Sequence, residues 1–317
     1  MQDAGASRDR RSPGERLQIR NILCPVDFSE FAHRAFAYAI GFRRHFGARL
    51  LVQHTVEPSQ YVFLEGVGPG VVKESPERQL SRSREAIRQM LISNRVDSSE
   101  VTVLLNQGDI TARIMETVAK EPVDLVVMGT HGRKGFNRFM LGSVTEGVIH
   151  RAACPVLVIS RPEREIAFGG VDLKLRTILL ATDFSGHSDR AATYAMKWAC
   201  ECESRVIVHH TVRETSSSMG GIVDLFPEYN PYFERQLAAA WRRIGQLIPE
   251  QAQKRCDIIF DVHVGNPSEE ILRVAKEREA DLIITGARGV NGSQPWGSVS
   301  SAVVRDGRFP VLVVRES

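Results

Sequence analysis

Two glycine clusters and one acidic residue carry the chemistry of this sequence. Gly129-Thr130-His131-Gly132 is followed, nine residues later, by Gly142-Ser143-Val144-Thr145. Glycine lets a backbone turn sharply and come close to a ligand. A helix that opens after such a turn offers unsatisfied N–H groups and the positive end of its dipole, and both suit phosphate oxygens. Ser143 and Thr145 can add hydroxyl donors, and Arg133 and Lys134 stand where they could face phosphates or solvent. Asp27 closes the apolar run 21–26 and can accept hydrogen bonds from ribose hydroxyls. Alone, each signal has a plainer reading: glycines also end strands for packing reasons, and an Asp also caps a helix. Together they describe a crevice with a sugar acceptor on one wall and a phosphate cradle on the other.

These residues need strands to place them. Short runs rich in Val, Ile and Leu recur at 21–26, 49–56, 101–105, 123–128 and 155–159, and runs apolar on both faces fit buried parallel strands. After Ser29, which can cap, Ala32, Ala35, Phe36, Ala39 and Ile40 share one helical face. Asn266-Pro267-Ser268-Glu269 reads as a second helix start, with Asn as cap and Pro at the first position. Strand–helix alternation predicts right-handed crossovers and a doubly wound parallel sheet. Asp27 and Gly129 then lie at strand carboxyl ends, where such sheets bind ligands near the switch in strand order.

The pattern occurs twice. Residues 21–29 (Asn-Ile-Leu-Cys-Pro-Val-Asp-Phe-Ser) read again at 177–185, and His54-Thr55-Val56 reads again as His210-Thr211-Val212, both at an offset of 156. Residues 123–129 match 280–286 at 157, and 154–158 match 309–313 at 155. Four blocks in one order at near-constant offset mean duplication. The reading is a tail at 1–18, domain one at 19–160, a charged linker at 161–175 and domain two at 176–317, with loops at 61–80 and 216–231.

Composition narrows the classes. The 317 residues are 43% hydrophobic and 25% charged with a net charge of +3, which makes no electrostatic case for nucleic acid or an anionic membrane. No apolar run reaches the roughly 18 residues of a membrane span. The first 17 residues lack the apolar core of a secretory signal and read as a disordered tail. Cys24, Cys154, Cys200, Cys202 and Cys256 form no regular framework, which fits a reducing cytoplasm. Cys200-Glu201-Cys202 supplies two thiols without a partner pair at zinc spacing, and His209 and His210 point to opposite faces of a strand, so no metal site is expected. There is no Gly-x-x-x-x-Gly-Lys-Ser/Thr loop, no Gly-x-Ser-x-Gly elbow and no catalytic acid–base pair legible by spacing.

The sequence resembles the universal stress protein family in its tandem two-domain form. The likeness rests on Pro25-Val26-Asp27-Phe28-Ser29-Glu30, His54-Thr55-Val56, the two glycine clusters with their nine-residue gap, and Cys154-Pro155-Val156-Leu157-Val158. It implies α/β domains of five parallel strands in the order 3-2-1-4-5. It also implies pairing through the fifth strand, as a pseudo-dimer within the chain or a homodimer between chains. The ligand implied is ATP, or AMP or ADP, with magnesium or manganese as a companion ion. Pro25, Val26, Asp27 and Thr55 would surround adenine and ribose; Met128, Gly129, His131, Gly132, Gly142, Ser143, Val144 and Thr145 would surround the phosphates.

Copy two departs from this signature. Gly286-Ala287-Arg288-Gly289 is followed after only seven residues by Gly297-Ser298-Val299-Ser300, with Pro295 and Trp296 in the shortened stretch and Arg288 where copy one has His131. A second site at Thr182, Asp183, Thr211, Gly286, Gly289, Gly297, Ser298 and Val299 stands beside two alternatives, a dimerisation half and a site for another ligand. The whole reads as a cytoplasmic nucleotide-binding sensor or regulator acting on an unidentified protein partner. A slow ATP hydrolase and a nucleotide-free scaffold are the alternatives.

Overall fold

The computed structural model describes residues 17–57, 61–62, 72–73, 75–130, 141–163, 166–169, 172–213, 231–289 and 296–315. His131, Gly132, Arg133, Lys134, Pro295, most of the tail, residues 63–71 and 74 of the first expected loop and residues 216–230 of the second lie outside the described residues. The chain divides into two compact units, one built from 19–173 with 304–313 and the other chiefly from 174–303.

In the first unit β1 (Asn21–Pro25), α1 (Glu30–Phe46) and β2 (Arg49–Val56) open the fold, and the short strands β3 (Tyr61–Val62) and β4 (Val72–Lys73) pair antiparallel. Then come α2 (Pro76–Ser93), β5 (Val101–Gln107), α3 (Ile110–Lys120), β6 (Leu125–Gly129), α4 (Ser143–Arg151) and β7 (Val156–Ile159). The long strands lie in the order β5-β2-β1-β6-β7, all parallel, which is 3-2-1-4-5 in their chain order. Their all-apolar stretches vanish into the core: Ile22, Leu23, Leu50, Leu51, Val126 and Val127 have no exposed surface. The expected face of α1 is the buried one. Ser29 caps it by accepting from the Ala32 N–H, and Gly47 ends it in the left-handed conformation.

The expected loop at 61–80 is shorter than read, because Ser75 caps α2 and Pro76 and Glu77 open its first turn. The segment read as a charged linker carries two short paired strands, β8 (Ala167–Gly169) and β9 (Asp172–Lys174). It is tied to α1, with the Ile166 N–H on the Tyr38 hydroxyl and the Leu173 N–H on His45 Nδ1.

The second unit repeats the plan with β10 (Thr177–Ala181), α5 (Gly186–Cys202), β11 (Arg205–Arg213), α6 (Pro231–Leu247), the short α7 (Glu250–Gln253), β12 (Ile258–Gly265), α8 (Pro267–Glu277), β13 (Leu282–Gly286) and α9 (Ser298–Asp306). Its strands β12-β11-β10-β13 are parallel in the order 3-2-1-4. The last strand is β14 (Val311–Val314). Residues 304–313 group with the first unit, where Val311, Leu312 and Val313 pair antiparallel with Val158, Leu157 and Val156. The repetition reaches single bonds: Asp124 accepts from the Arg20 and Asn21 N–H groups, and Asp281 from those of Arg176 and Thr177.

Candidate functional site

In both copies the first strand turns into its helix through a residue with a strained backbone. Phe28 (φ 64°) follows Asp27 and Phe184 (φ 61°) follows Asp183, a left-handed conformation that costs a non-glycine residue roughly 1–2 kcal/mol. Such strain persists where surroundings over-determine it and is common at ligand sites. Here each ring packs on a histidine, Phe28 at 4.6 Å from His54 and Phe184 at 4.4 Å from His210. Those histidines donate from Nδ1 to the carbonyls of Val26 (2.7 Å) and Thr182 (2.8 Å). Burial lowers the pKa of His210 despite that bond, which keeps the ring neutral.

Asp27 is half-buried, and its Oδ1 accepts from the Ser29 hydroxyl (2.7 Å) and N–H (3.1 Å). Asp183 accepts from the Ser185 N–H in the same way (3.1 Å). Pro25 ends β1 and Val26 follows it, Thr55 lies in β2, and Met128 and Gly129 end β6. Gly142 precedes α4, and no side chain caps that helix. Ser143 is exposed and Val144 half-buried.

Two expectations change. Thr145 is buried and donates its hydroxyl to the Gly129 carbonyl (2.8 Å), as Ser300 does to Gly286 (2.6 Å), so this proton is held inside the protein rather than offered to a phosphate. Gly129 and Gly286 answer first to packing: a Cβ would come to 2.7 Å of Phe31 Cβ in the one and 2.9 Å of the His187 backbone in the other. The helix after the first strand crosses so close to β6 and β13 that a side chain has no room.

A cavity of about 690 Å³ opens in the second unit at the carboxyl ends of β10, β11 and β13. Thr182, Asp183 and Thr211 line it together with Gly286, Gly289, Gly297, Ser298 and Val299, so all the copy-two candidates converge on one space. Residues not singled out for this site complete it. Arg213, Arg243 and Arg288 also line it, and Asp183 is the one acidic residue among the lining residues. Arg243 donates to the Phe184 carbonyl (3.1 Å) and lies 4.7 Å from the centre of its ring. Trp296 contributes an almost wholly buried indole. Arg243 stands on α6, which has no motif of its own, so no local sequence signal pointed to it.

A model of the Universal stress protein family matches residues 18–160 and again 174–315. The chain belongs to the universal stress protein family. A universal stress protein of Methanocaldococcus jannaschii is 31% identical over 157 residues, 48% of this chain and 88% of that protein. One from Mycolicibacterium smegmatis is 22% identical over 297 residues, 93% of this chain and 96% of its own. The crystal structure of a universal stress protein from Archaeoglobus fulgidus shares the fold, with a TM-score of 0.65 at 20% identity, covering 96% of this chain and 98% of that one. The two matches make this chain a tandem universal stress protein, with one stress-protein domain for each sequence copy.

Among the described residues no group of three or more His, Cys, Asp or Glu could hold a metal ion, and no helix is long and apolar enough to cross a membrane. Cys24 and Cys154 are buried apolar residues whose thiols are pushed up by burial, that of Cys154 to about 12. Cys200 lies 3.1 Å, sulfur to sulfur, from Cys256. His209 is buried against Asp261, and His210 bonds to the Thr182 carbonyl.

Proposed function

We propose that this universal stress protein is a cytoplasmic adenine-nucleotide-binding sensor or regulator of a stress response, and that its second copy binds nucleotide despite the shortened loop. The observation that carries the reading is the copy-two cavity. Its size suits a small-molecule ligand, it lies at strand carboxyl ends, and three arginines with the start of α9 offer positive charge and N–H donors to phosphates. Asp183 supplies the acceptor for ribose. Copy one carries the same Asp, strained Phe and uncapped helix start, with His131 and Gly132 completing its intact signature.

Nucleotide occupancy would regulate by favouring one of two states, which requires that it bind them unequally. The donor set favours binding over turnover: among the described residues Asp183 is the one carboxylate lining the cavity, and phosphoryl transfer asks for metal clamps and a positioned water. Magnesium or manganese would enter as a companion of the phosphates.

Mild denaturation of freshly purified protein, with chromatography of what is released, tests the reading. Two adenine nucleotides per chain are expected after saturation. One per chain restricts binding to a single copy. None, with no heat of binding on adding ATP, overturns the proposal and leaves a nucleotide-free scaffold.

A further inference from the structure

A chain of polar groups runs from the surface of the second unit to its cavity, buried from Asp261 inward, and its donors and acceptors set one direction. Arginine has only donors. Arg273, held by Glu270 (2.6 Å) and Glu277 (2.6 Å), donates to His263 Nδ1 (2.9 Å). His263 must then carry its proton on Nε2, which points at Asp261 Oδ1 (3.1 Å). The other oxygen of Asp261 lies 2.6 Å from His209 Nδ1. Burial opposes ionisation of Asp261, but hydrogen bonds from His209 and then His263, with the charge each ring carries once protonated at acid pH, outweigh it and hold its pKa below the usual value. The carboxylate can only accept, so His209 in its neutral form carries its one proton on Nδ1. Its Nε2 is left as an acceptor, 2.9 Å from the Thr211 hydroxyl. His209 is buried, its ring 5.8 Å from that of His263, and Thr211 lines the cavity.

We infer that Asp261 and His209 are positioning residues that commit the Thr211 hydroxyl proton inward, so that Thr211 meets the cavity's ligand only as an acceptor and selects a 6-amino purine over a 6-oxo purine. The inference rests on the nucleotide reading of copy two and goes beyond it by naming what reads the base. An exocyclic amine donates to the waiting lone pairs; a carbonyl in its place faces them with lone pairs of its own. Copy one lacks the device. The counterpart of His209 is Gln53, and across the sheet Leu104 occupies the place of Asp261. The Gln53 carboxamide and the Thr55 hydroxyl are buried without a hydrogen-bond partner among the described residues, so Thr55 can donate or accept.

The test compares binding of ATP and inosine triphosphate by calorimetry, using the full chain with Asp27→Ala to weaken copy one. Asp261→Asn turns an amide N–H toward His209 Nδ1, drives its proton to Nε2 and frees Thr211 to donate. The expected result is a fall of about tenfold or more in the ATP-to-inosine-triphosphate affinity ratio, a loss of about one hydrogen bond's worth of discrimination. The pair His209→Gln with Asp261→Leu, which copies the residues of copy one, should abolish the preference while keeping the fold. Long-range proton–nitrogen correlation spectra of the ligand-free chain should show His209 protonated on Nδ1, and on Nε2 in Asp261→Asn. An unchanged ratio, or Nε2 protonation in the parent, overturns this inference alone. A change confined to 2′-deoxy nucleotides places ribose, not base, at Thr211 and overturns it too. No binding by the second copy, with the Nδ1 proton in place, overturns the nucleotide reading and the selectivity with it.

Discussion

Arg243 holds Phe184 through its carbonyl and its ring at once, and its guanidinium lines the cavity beside Arg213 and Arg288. A charge-assisted hydrogen bond contributes about 1.5–3 kcal/mol, so Arg243→Ala should weaken nucleotide binding by the second copy about tenfold to a hundredfold. Isothermal calorimetry reads this directly, and an unchanged affinity would show that the guanidinium serves only Phe184. Asp261 adds a pH dependence whose sign follows from its environment. Its folded pKa is depressed, so its contribution to stability is present above its ordinary value of 3.8 and is lost as pH falls through the lower folded value. The stability gap between the parent and Asp261→Asn should be widest near neutrality and close below that value, as measured by urea unfolding at a series of pH values.

At the scale of elements, the closeness of α1 to β6 and of α5 to β13 brings the acidic turn beside the end of the fourth strand. Two substitutions of one chemical kind separate that packing from backbone propensity. Gly286→Ala puts a methyl group 2.9 Å from the His187 backbone, and overpacking of this sort costs about 1–3 kcal/mol. Gly245→Ala, in an exposed stretch of α6 with nothing within 4 Å, should instead stabilise by about 0.5–1 kcal/mol, because alanine favours the helix. Thermal denaturation should move the two melting temperatures in opposite directions. A neutral Gly286→Ala would mean that α5 shifts freely, which the buried Ser188 bonded back to the Ser185 carbonyl argues against.

For the whole molecule, the nucleotide reading predicts a linkage effect. A ligand that binds only the folded state at a hundred times its dissociation constant stabilises by about 2.7 kcal/mol. ATP should therefore raise the melting temperature of the full chain, and less so when Asp27→Ala and Arg243→Ala are combined. A scaffold without a nucleotide site shows no shift in either protein.

Much of this protein is written along the chain. The duplication, the five strands of each copy and the cap at Ser29 follow from side-chain periodicity and turn chemistry, which act over a few residues. What spans the sheet did not show. Asp261 reaches His209 from 52 residues away only because β11 and β12 pair in one register, and nothing in either strand's apolar pattern fixes which polar residues will face each other. Gly129 looked like a ligand contact because glycine permits close approach, yet what approaches is Phe31. Arg243 entered the cavity from a helix whose sequence speaks only of an amphipathic surface. Local physics determined which elements form and where chemistry would be concentrated; long-range packing decided which side chains meet there.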